Sequence, residues 1–220
     1  MIDSWLSKTK IIEAAEKMVK KLFYGRISAN EVTALGLIFG LLCAFVIFLS
    51  GITLLKLELM MISSILMGIS FFFDAMDGSL ARLQQPTIFG GILDIFCDRT
   101  VEVFIIIAII STDPILLIWP GIFTLSSIIL CITMFLVVGG SYKVDNLEES
   151  EKVIYYRKGL IERSETFIFL FMMNILFFWY WRFILLWLLA SLIFLTAFLR
   201  LRDAYLMFRS SNRKYDKVLL

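Results

Sequence analysis

The chain has 220 residues, of which 60% are apolar and only 18% are Asp, Glu, Lys or Arg, and its mean hydropathy is +0.89. A water-soluble domain of this length carries more charge and does not collect its apolar residues in long runs, so the composition excludes an ordinary soluble protein. The formal net charge is only +2, and no nucleic-acid partner is expected.

The chain contains no histidine, which excludes Ser-His and Cys-His nucleophile pairs and His-ligated zinc sites. The three cysteines, Cys43, Cys97 and Cys131, lie far apart in apolar runs. We interpret them as small filling residues of membrane-embedded helices. The side chains expected to bind metal ions or transfer protons are therefore the carboxylates of Asp and Glu.

The first predicted element is a basic amphipathic helix over residues 5–23, where apolar residues recur at helical spacing with lysines largely between them. Such a helix lies on the anionic cytoplasmic leaflet of a membrane; a helix packed on another protein is the alternative. Residues 1–31 are charged and offer no small-residue cleavage site, so we expect no cleavable signal peptide.

Four apolar runs follow, each predicted to cross the membrane: residues 32–50, 57–73, 89–110 and 115–138. A crossing needs roughly 20 apolar residues for about 30 Å of hydrocarbon. The last apolar stretch, 167–199, is interrupted only by an aromatic–arginine group at 179–182. As one helix it would measure roughly 50 Å, so two spans that meet at this group are predicted.

The expected fold is all-α, a single polytopic membrane domain with an N-terminal interfacial helix. It comprises an entry segment (1–31), a six-helix bundle (32–200) and a cytoplasmic tail (201–220). With the N-terminus in the cytoplasm, this topology places 19 of the 21 Lys and Arg residues on the cytoplasmic side. The positive-inside rule favours it over five spans. Both termini and the site described next are then cytoplasmic.

Four aspartates lie within 25 residues, inside or at the ends of two apolar spans: Asp74, Asp77, Asp94 and Asp98. An ionisable group at membrane depth costs roughly 2.5–3.5 kcal/mol on insertion scales, which makes it a candidate functional residue. Spacings of three and four put each pair on one helix face. A short turn around Pro86 joins the two spans, so the four carboxylates are expected to converge at one site.

An all-oxygen site selects Mg²⁺ or Mn²⁺, with Ca²⁺ less suited, over zinc or copper. Gly78, Ala81, Gly90 and Gly91 are small enough for a phosphate or a helix to approach closely, and Arg82 offers a fork for phosphate oxygens. The alternative is a set of structural carboxylates paired with arginines at helix ends.

The segment resembles the signature of the CDP-alcohol phosphatidyltransferases, D-x2-D-G-x2-A-R-x8-G-x3-D-x3-D. Its eight fixed positions are matched by Asp74, Asp77, Gly78, Ala81, Arg82, Gly91, Asp94 and Asp98. The predicted six-span layout is also similar to that family. The resemblance implies transfer of a phosphatidyl or similar phosphoryl-lipid group from a CDP-alcohol to a hydroxyl acceptor, with release of CMP, in phospholipid biosynthesis. It also implies a homodimer.

The family often has Pro-Asn before the first span, whereas this chain has Ala29-Asn30. Asn30 and Thr33 are predicted to cap that span. Within the bundle, Arg99 and Glu102 are predicted to form an ion pair, and Asn174 is predicted to bond to a neighbouring helix or backbone.

For the site residues we assign Asp74, Asp77 and Asp94 to two metal ions, with Asp98 also near one of them. Two ions about 3.5–4 Å apart can clamp attacking and leaving oxygens. Asp98 is the expected general base for the acceptor hydroxyl. The residues expected to bind CDP are Asp77, Gly78, Ala81, Arg82 and Gly91.

Candidate acceptor ligands are Lys143, Arg157 and Arg163, in the predicted cytoplasmic segment 139–166. The run 158–165 resembles the segment before span 5 in family members that use phosphorylated polyols, and Arg163 could hold an acceptor phosphate. Charges that face lipid headgroups are the alternative for Lys143 and Arg157. Users of an inositol phosphate often carry an arginine-rich stretch after Ser-Tyr, which is missing here after Tyr142. Glycerol 3-phosphate, an inositol phosphate and serine all stay open as acceptors.

Two other function classes are considered. Polyprenyl transferases also bind Mg²⁺-diphosphate through Asp-rich motifs, but their motifs lie far apart on a larger bundle. A cation transporter would carry its carboxylates through the bilayer, whereas the acidic residues here cluster at one edge.

Overall fold

The computed structural model describes residues 27–144, 163–176 and 179–218. These residues form six α-helices and no strand. In chain order the helices are α1 (Ala29–Ile52), α2 (Lys56–Gln84), α3 (Ile88–Thr112), α4 (Pro114–Val144), α5 (Arg163–Ile175) and α6 (Trp179–Val218). The predicted all-α polytopic fold is confirmed. The predicted interfacial helix lies outside the described residues.

Four of these helices are long and apolar enough to cross a membrane, judged by length and composition: α1, α2, residues 114–138 of α4 and residues 180–206 of α6. Helix α3 has 25 residues but carries four charged side chains. Helix α5 has 13 residues and measures about 20 Å, shorter than the hydrocarbon core. The count of six crossings therefore stays a prediction.

The break predicted at the aromatic–arginine group is present, because α5 ends at Ile175 and α6 begins at Trp179. Tyr180 and Trp181 are exposed, as expected for an interfacial belt. Arg182 does not belong to that belt, since its side chain is fully buried. Helix α6 also continues to Val218, well into the segment that the sequence assigned to a tail.

Helix α1 begins with a capping box formed by Ser28 and Glu31. The Ser28 hydroxyl accepts from the Glu31 backbone N–H at 3.3 Å, and the Glu31 carboxylate accepts from the Ser28 backbone N–H at 2.7 Å. The prediction that Asn30 and Thr33 cap this helix is therefore wrong. Ser28 is the residue immediately before the helix, where a side chain can reach the unpaired N–H groups.

Only three residues join α2 to α3. Gln85 adopts a φ of 74°, which is uncommon for a residue other than glycine, and turns the chain sharply. Thr87 then caps α3 by accepting from the Gly90 backbone N–H at 3.0 Å. This tight connection makes α2 and α3 an antiparallel hairpin.

Helix α1 packs closely on both arms of this hairpin through two glycines one turn apart. The Gly36 carbonyl accepts a hydrogen bond from Ser70 of α2 at 2.8 Å. A Cβ on Gly40 would overlap both methyl groups of Val101 in α3. Such a spacing of small residues lets helix backbones approach in a membrane.

Helices α4 and α6 pack along each other and complete the bundle. The main core cluster draws buried side chains from all six helices, including Ile47, Met67, Ile106, Leu117, Met173 and Leu189. Buried polar groups pair between helices: Asn174 of α5 bonds to Ser63 at 2.9 Å and Ser64 at 3.0 Å, both in α2. The predicted interhelical role of Asn174 is confirmed.

The ends of several helices meet at Arg182, away from the aspartates. Arg182 donates to the Met173 carbonyl of α5 at 3.0 Å and to the Thr112 hydroxyl of α3 at 2.9 Å. It also lies 3.2 Å from the Met60 sulfur of α2. A fully buried guanidinium thus connects four helices at the end of the bundle opposite the α2–α3 turn.

Candidate active site

Three of the four aspartates meet between α2 and α3. Carboxylate oxygens of Asp74, Asp94 and Asp98 all lie within 4.8 Å of one another, and each of the three side chains is half-buried. Two negative charges 4 Å apart repel by about 4 kcal/mol at an effective dielectric constant of 20. Three carboxylates at this spacing therefore favour the binding of a cation between them.

Asp77 is a fourth carboxylate with a different environment. It is 5% exposed, and its Oδ2 accepts a hydrogen bond from the Thr33 hydroxyl of α1 at 2.6 Å. Asp77 is not a member of the three-carboxylate group, although it lines the same cavity as Asp74 and Asp98. Helix α1 thus fixes one face of the acidic site.

The residues predicted to bind CDP lie at the turn end of the hairpin. Arg82 and Gly91 are exposed, and Gly78 and Ala81 are half-buried. Arg82 donates to the Ser79 hydroxyl at 3.0 Å. A Cβ on Gly91 would meet no atom within 4 Å, so its lack of a side chain serves no helix packing among the described residues.

Two cavities adjoin the aspartates. The first, of about 60 Å³, lies between α1, α2, α3 and α5 and is lined by Thr33, Asp74, Asp77 and Asp98 among others. The second, of about 300 Å³, reaches α4 and α6 and is lined by Asp94, Asp98, Cys131 and Arg200 among others. Arg99, Glu102 and Thr166 line both cavities. Asp98 is thus shared between a small acidic cavity and a larger one that has room for a small molecule.

The sequence of the chain matches a family model described as CDP-alcohol phosphatidyltransferase over residues 26–197. The chain belongs to the CDP-alcohol phosphatidyltransferase family. It is a membrane transferase of phospholipid biosynthesis, and the family resemblance of the Asp74–Asp98 segment is confirmed. This result favours the transferase over the prenyltransferase and transporter classes.

The fold of this phosphatidyltransferase is similar to a solved structure, the Mycobacterium tuberculosis phosphatidylinositol phosphate synthase with CDP-DAG bound. The TM-score is 0.67 at 21% sequence identity, and the match covers 87% of this chain and 93% of the mycobacterial chain. Comparison with curated protein sequences finds no match. At this identity the structural likeness shows a common fold.

The donor set of the phosphatidyltransferase fits a divalent cation of the Mg²⁺ type. Asp74, Asp94 and Asp98 offer oxygen ligands only, as hard cations prefer, and neither histidine nor cysteine joins the group that the structure describes. Cys97 is buried beside the site and lines the first cavity. It is not one of the grouped ligands.

The three predicted acceptor ligands are described incompletely. Arg157 lies outside the described residues, and for Lys143 and Arg163 only the helical backbone is described, near the end of α4 and at the start of α5. Their role stays a prediction.

Two further residues, Arg200 and Glu102, line the cavities beside the aspartates. Arg200 lines the second cavity, donates to the Cys131 carbonyl at 3.1 Å and lies over the Phe135 ring. Nothing in the sequence separates Arg200 from the other basic residues near the C-terminus, which positive-inside topology already explains.

The Arg99–Glu102 ion pair is confirmed, but Glu102 also lines both cavities, which its sequence position did not indicate.

Proposed function

We propose that this phosphatidyltransferase transfers the phosphatidyl group of CDP-diacylglycerol to a hydroxyl of a phosphorylated polyol, glycerol 3-phosphate or an inositol phosphate. The observation that carries the proposal is Asp98, which lies in the three-carboxylate group and also lines a larger cavity that contains Arg99 and Arg200. Guanidinium groups bind phosphate oxygens well. A phosphorylated acceptor therefore fits that cavity better than a neutral alcohol.

The chemistry requires the acceptor oxygen to bond to the lipid-side phosphorus while the bond from that phosphorus to the bridging oxygen breaks. CMP then leaves with the electron pair of the broken bond. Asp98 is the base that takes the proton of the acceptor hydroxyl, because it is the one member of the three-carboxylate group that lines both cavities.

Asp74, Asp77, Asp94 and Asp98 would hold one or two Mg²⁺ or Mn²⁺ ions. Bound there, the ions would neutralise charge on the diphosphate and on the leaving CMP. Asp77 keeps its orientation through the Thr33 hydroxyl. At the turn end of the hairpin, Gly78, Ala81, Arg82 and Gly91 would receive the CDP moiety, and Arg82 would bind phosphate oxygens.

The mycobacterial neighbour is named as a phosphatidylinositol phosphate synthase, which supports a phosphorylated acceptor here without choosing between the two candidates. The predicted residues Lys143, Arg157 and Arg163 would add positive charge on the acceptor side. The basic residues of the chain favour a site on the cytoplasmic face, and a homodimer is expected from the family resemblance.

The test measures CMP release from CDP-diacylglycerol by the purified enzyme, with glycerol 3-phosphate, inositol phosphate or serine supplied in parallel. We expect release with a phosphorylated polyol in the presence of Mg²⁺ and none after chelation. Asp98→Asn should abolish turnover and keep binding of a CDP nucleotide. The proposal would be contradicted if serine were the one acceptor of the three that supported CMP release, or if Asp98→Asn kept near-normal turnover.

A further inference from the structure

Glu102 is a buried carboxylate with one oxygen that no described group satisfies. It lies one turn beyond Asp98 on the same face of α3 and is 7% exposed. One oxygen, Oε2, accepts from the Arg99 guanidinium. The other, Oε1, is buried without a hydrogen-bond partner among the described residues. A buried acceptor left unpaired costs stability, so such a group calls for a partner from elsewhere.

The surroundings of Glu102 indicate which kind of partner would fit. Its side chain lines the second cavity together with Arg99, Thr166 and Arg200. The three-carboxylate group does not include Glu102, so an ion bound by that group does not account for Oε1. Arg99 already balances the charge of Glu102. A neutral hydrogen-bond donor, such as a hydroxyl, is then the matching partner.

We propose that Glu102 selects the acceptor, because Oε1 accepts a hydrogen bond from an acceptor hydroxyl that does not react. The two arginines of the second cavity would hold the acceptor phosphate, Asp98 would face the reacting hydroxyl, and Glu102 would bind a further one. The enzyme would thus prefer acceptors with a phosphate and at least two hydroxyls. This inference rests on the proposed transfer to a phosphorylated polyol.

The experiment pairs each acceptor with an analogue that lacks one hydroxyl. Glycerol 3-phosphate is compared with 3-hydroxypropyl phosphate, and inositol phosphate with its monodeoxy analogues. For the native enzyme we expect kcat/KM to fall roughly tenfold to a hundredfold when the selected hydroxyl is missing, as for a hydrogen bond to a charged group. In Glu102→Met this difference should disappear, while the KM for CDP-diacylglycerol stays unchanged.

Glu102→Gln serves as the second variant, since it keeps the volume of the buried side chain and should reduce the discrimination without abolishing it. A purely structural Glu102, which only orients Arg99, would lower activity on both members of a pair alike. That result, or a native enzyme that uses both members equally, would overturn the inference and leave the proposed function intact. If no phosphorylated polyol supports CMP release, the proposed function fails and the inference with it.

Discussion

The Thr33 hydroxyl of α1 donates a hydrogen bond of 2.6 Å to the Asp77 carboxylate of α2. Asp77 needs this contact because a buried carboxylate oxygen without a partner is costly. Thr33 therefore contributes to the acidic site although it carries no charge, and its presence ties α1 to the chemistry of the α2–α3 hairpin.

Thr33→Val should weaken the response of the enzyme to Mg²⁺, because the methyl group cannot donate to Asp77. Loss of a group that orients a metal ligand typically costs 10- to 100-fold in metal affinity. The measurement is the Mg²⁺ concentration that gives half-maximal CMP release. Thr33→Ser keeps the hydroxyl and should stay close to the native value; equal Mg²⁺ requirements in all three proteins would rule out this role.

At the scale of helices, the close contact between α1 and α3 depends on Gly40. A side chain there would overlap Val101, and a packed interior does not absorb such an overlap without strain. The contact sets how near Thr33 of α1 comes to the hairpin, so helix packing and site geometry are linked.

Gly40→Ala should destabilise the protein by about 1–3 kcal/mol, as overpacking of an interior usually does. Combination with Val101→Ala removes the overlapping methyl groups and should restore most of the loss. Thermal unfolding in detergent gives the comparison. Gly36→Ala is the control on the same face, since its Cβ would lie at an ordinary 3.5 Å from the Ser70 carbonyl; an equal loss at both glycines would argue against this account.

The short helix α5 depends on Arg182 in a similar way. Its guanidinium bonds to the Met173 carbonyl, one of the last carbonyls of α5, where positive charge also favours the helix dipole. Arg182→Met removes the donor to this carbonyl, at about 1–3 kcal/mol for a buried acceptor left unpaired, whereas the Thr112 hydroxyl still donates to the Ile109 carbonyl at 2.8 Å. We expect a lower melting temperature in detergent, with Arg182→Lys between the variant and the native protein. Unchanged melting of Arg182→Met would show that the buried bonds do not stabilise α5.

At the scale of the whole molecule, the two loops at opposite ends of α2 should face opposite sides of the membrane. Leu54, fully exposed between α1 and α2, is expected outside, and Pro86, exposed between α2 and α3, is expected in the cytoplasm. This prediction follows from the positive-inside rule, because the topology places most of the basic residues on the cytoplasmic side.

In intact cells, a membrane-impermeant maleimide should label Leu54→Cys directly and Pro86→Cys only after permeabilisation. The unsubstituted protein is the control, because Cys43 and Cys97 are buried and Cys131 is partly so. The reverse labelling pattern would place the aspartates on the outer side.

Local periodicity made much of the molecule predictable. Apolar runs gave the helices, and spacings of three and four placed each pair of aspartates on one helix face. Helix length and the aromatic–arginine group together predicted a break near 179–182. In contrast, the burial of Arg182, the position of Arg200 and the free oxygen of Glu102 depend on which helices pack together. A single sequence does not specify those pairings, so the second cavity could not be predicted.

Because only three residues join α2 to α3, the acidic site can form early in folding. Contacts between nearby segments form faster than contacts between distant ones, and a growing chain acquires its N-terminal parts first. The hairpin can therefore bring Asp74 and Asp98 together while the later helices are still being synthesised. The second cavity, which needs α4 and α6, is completed last.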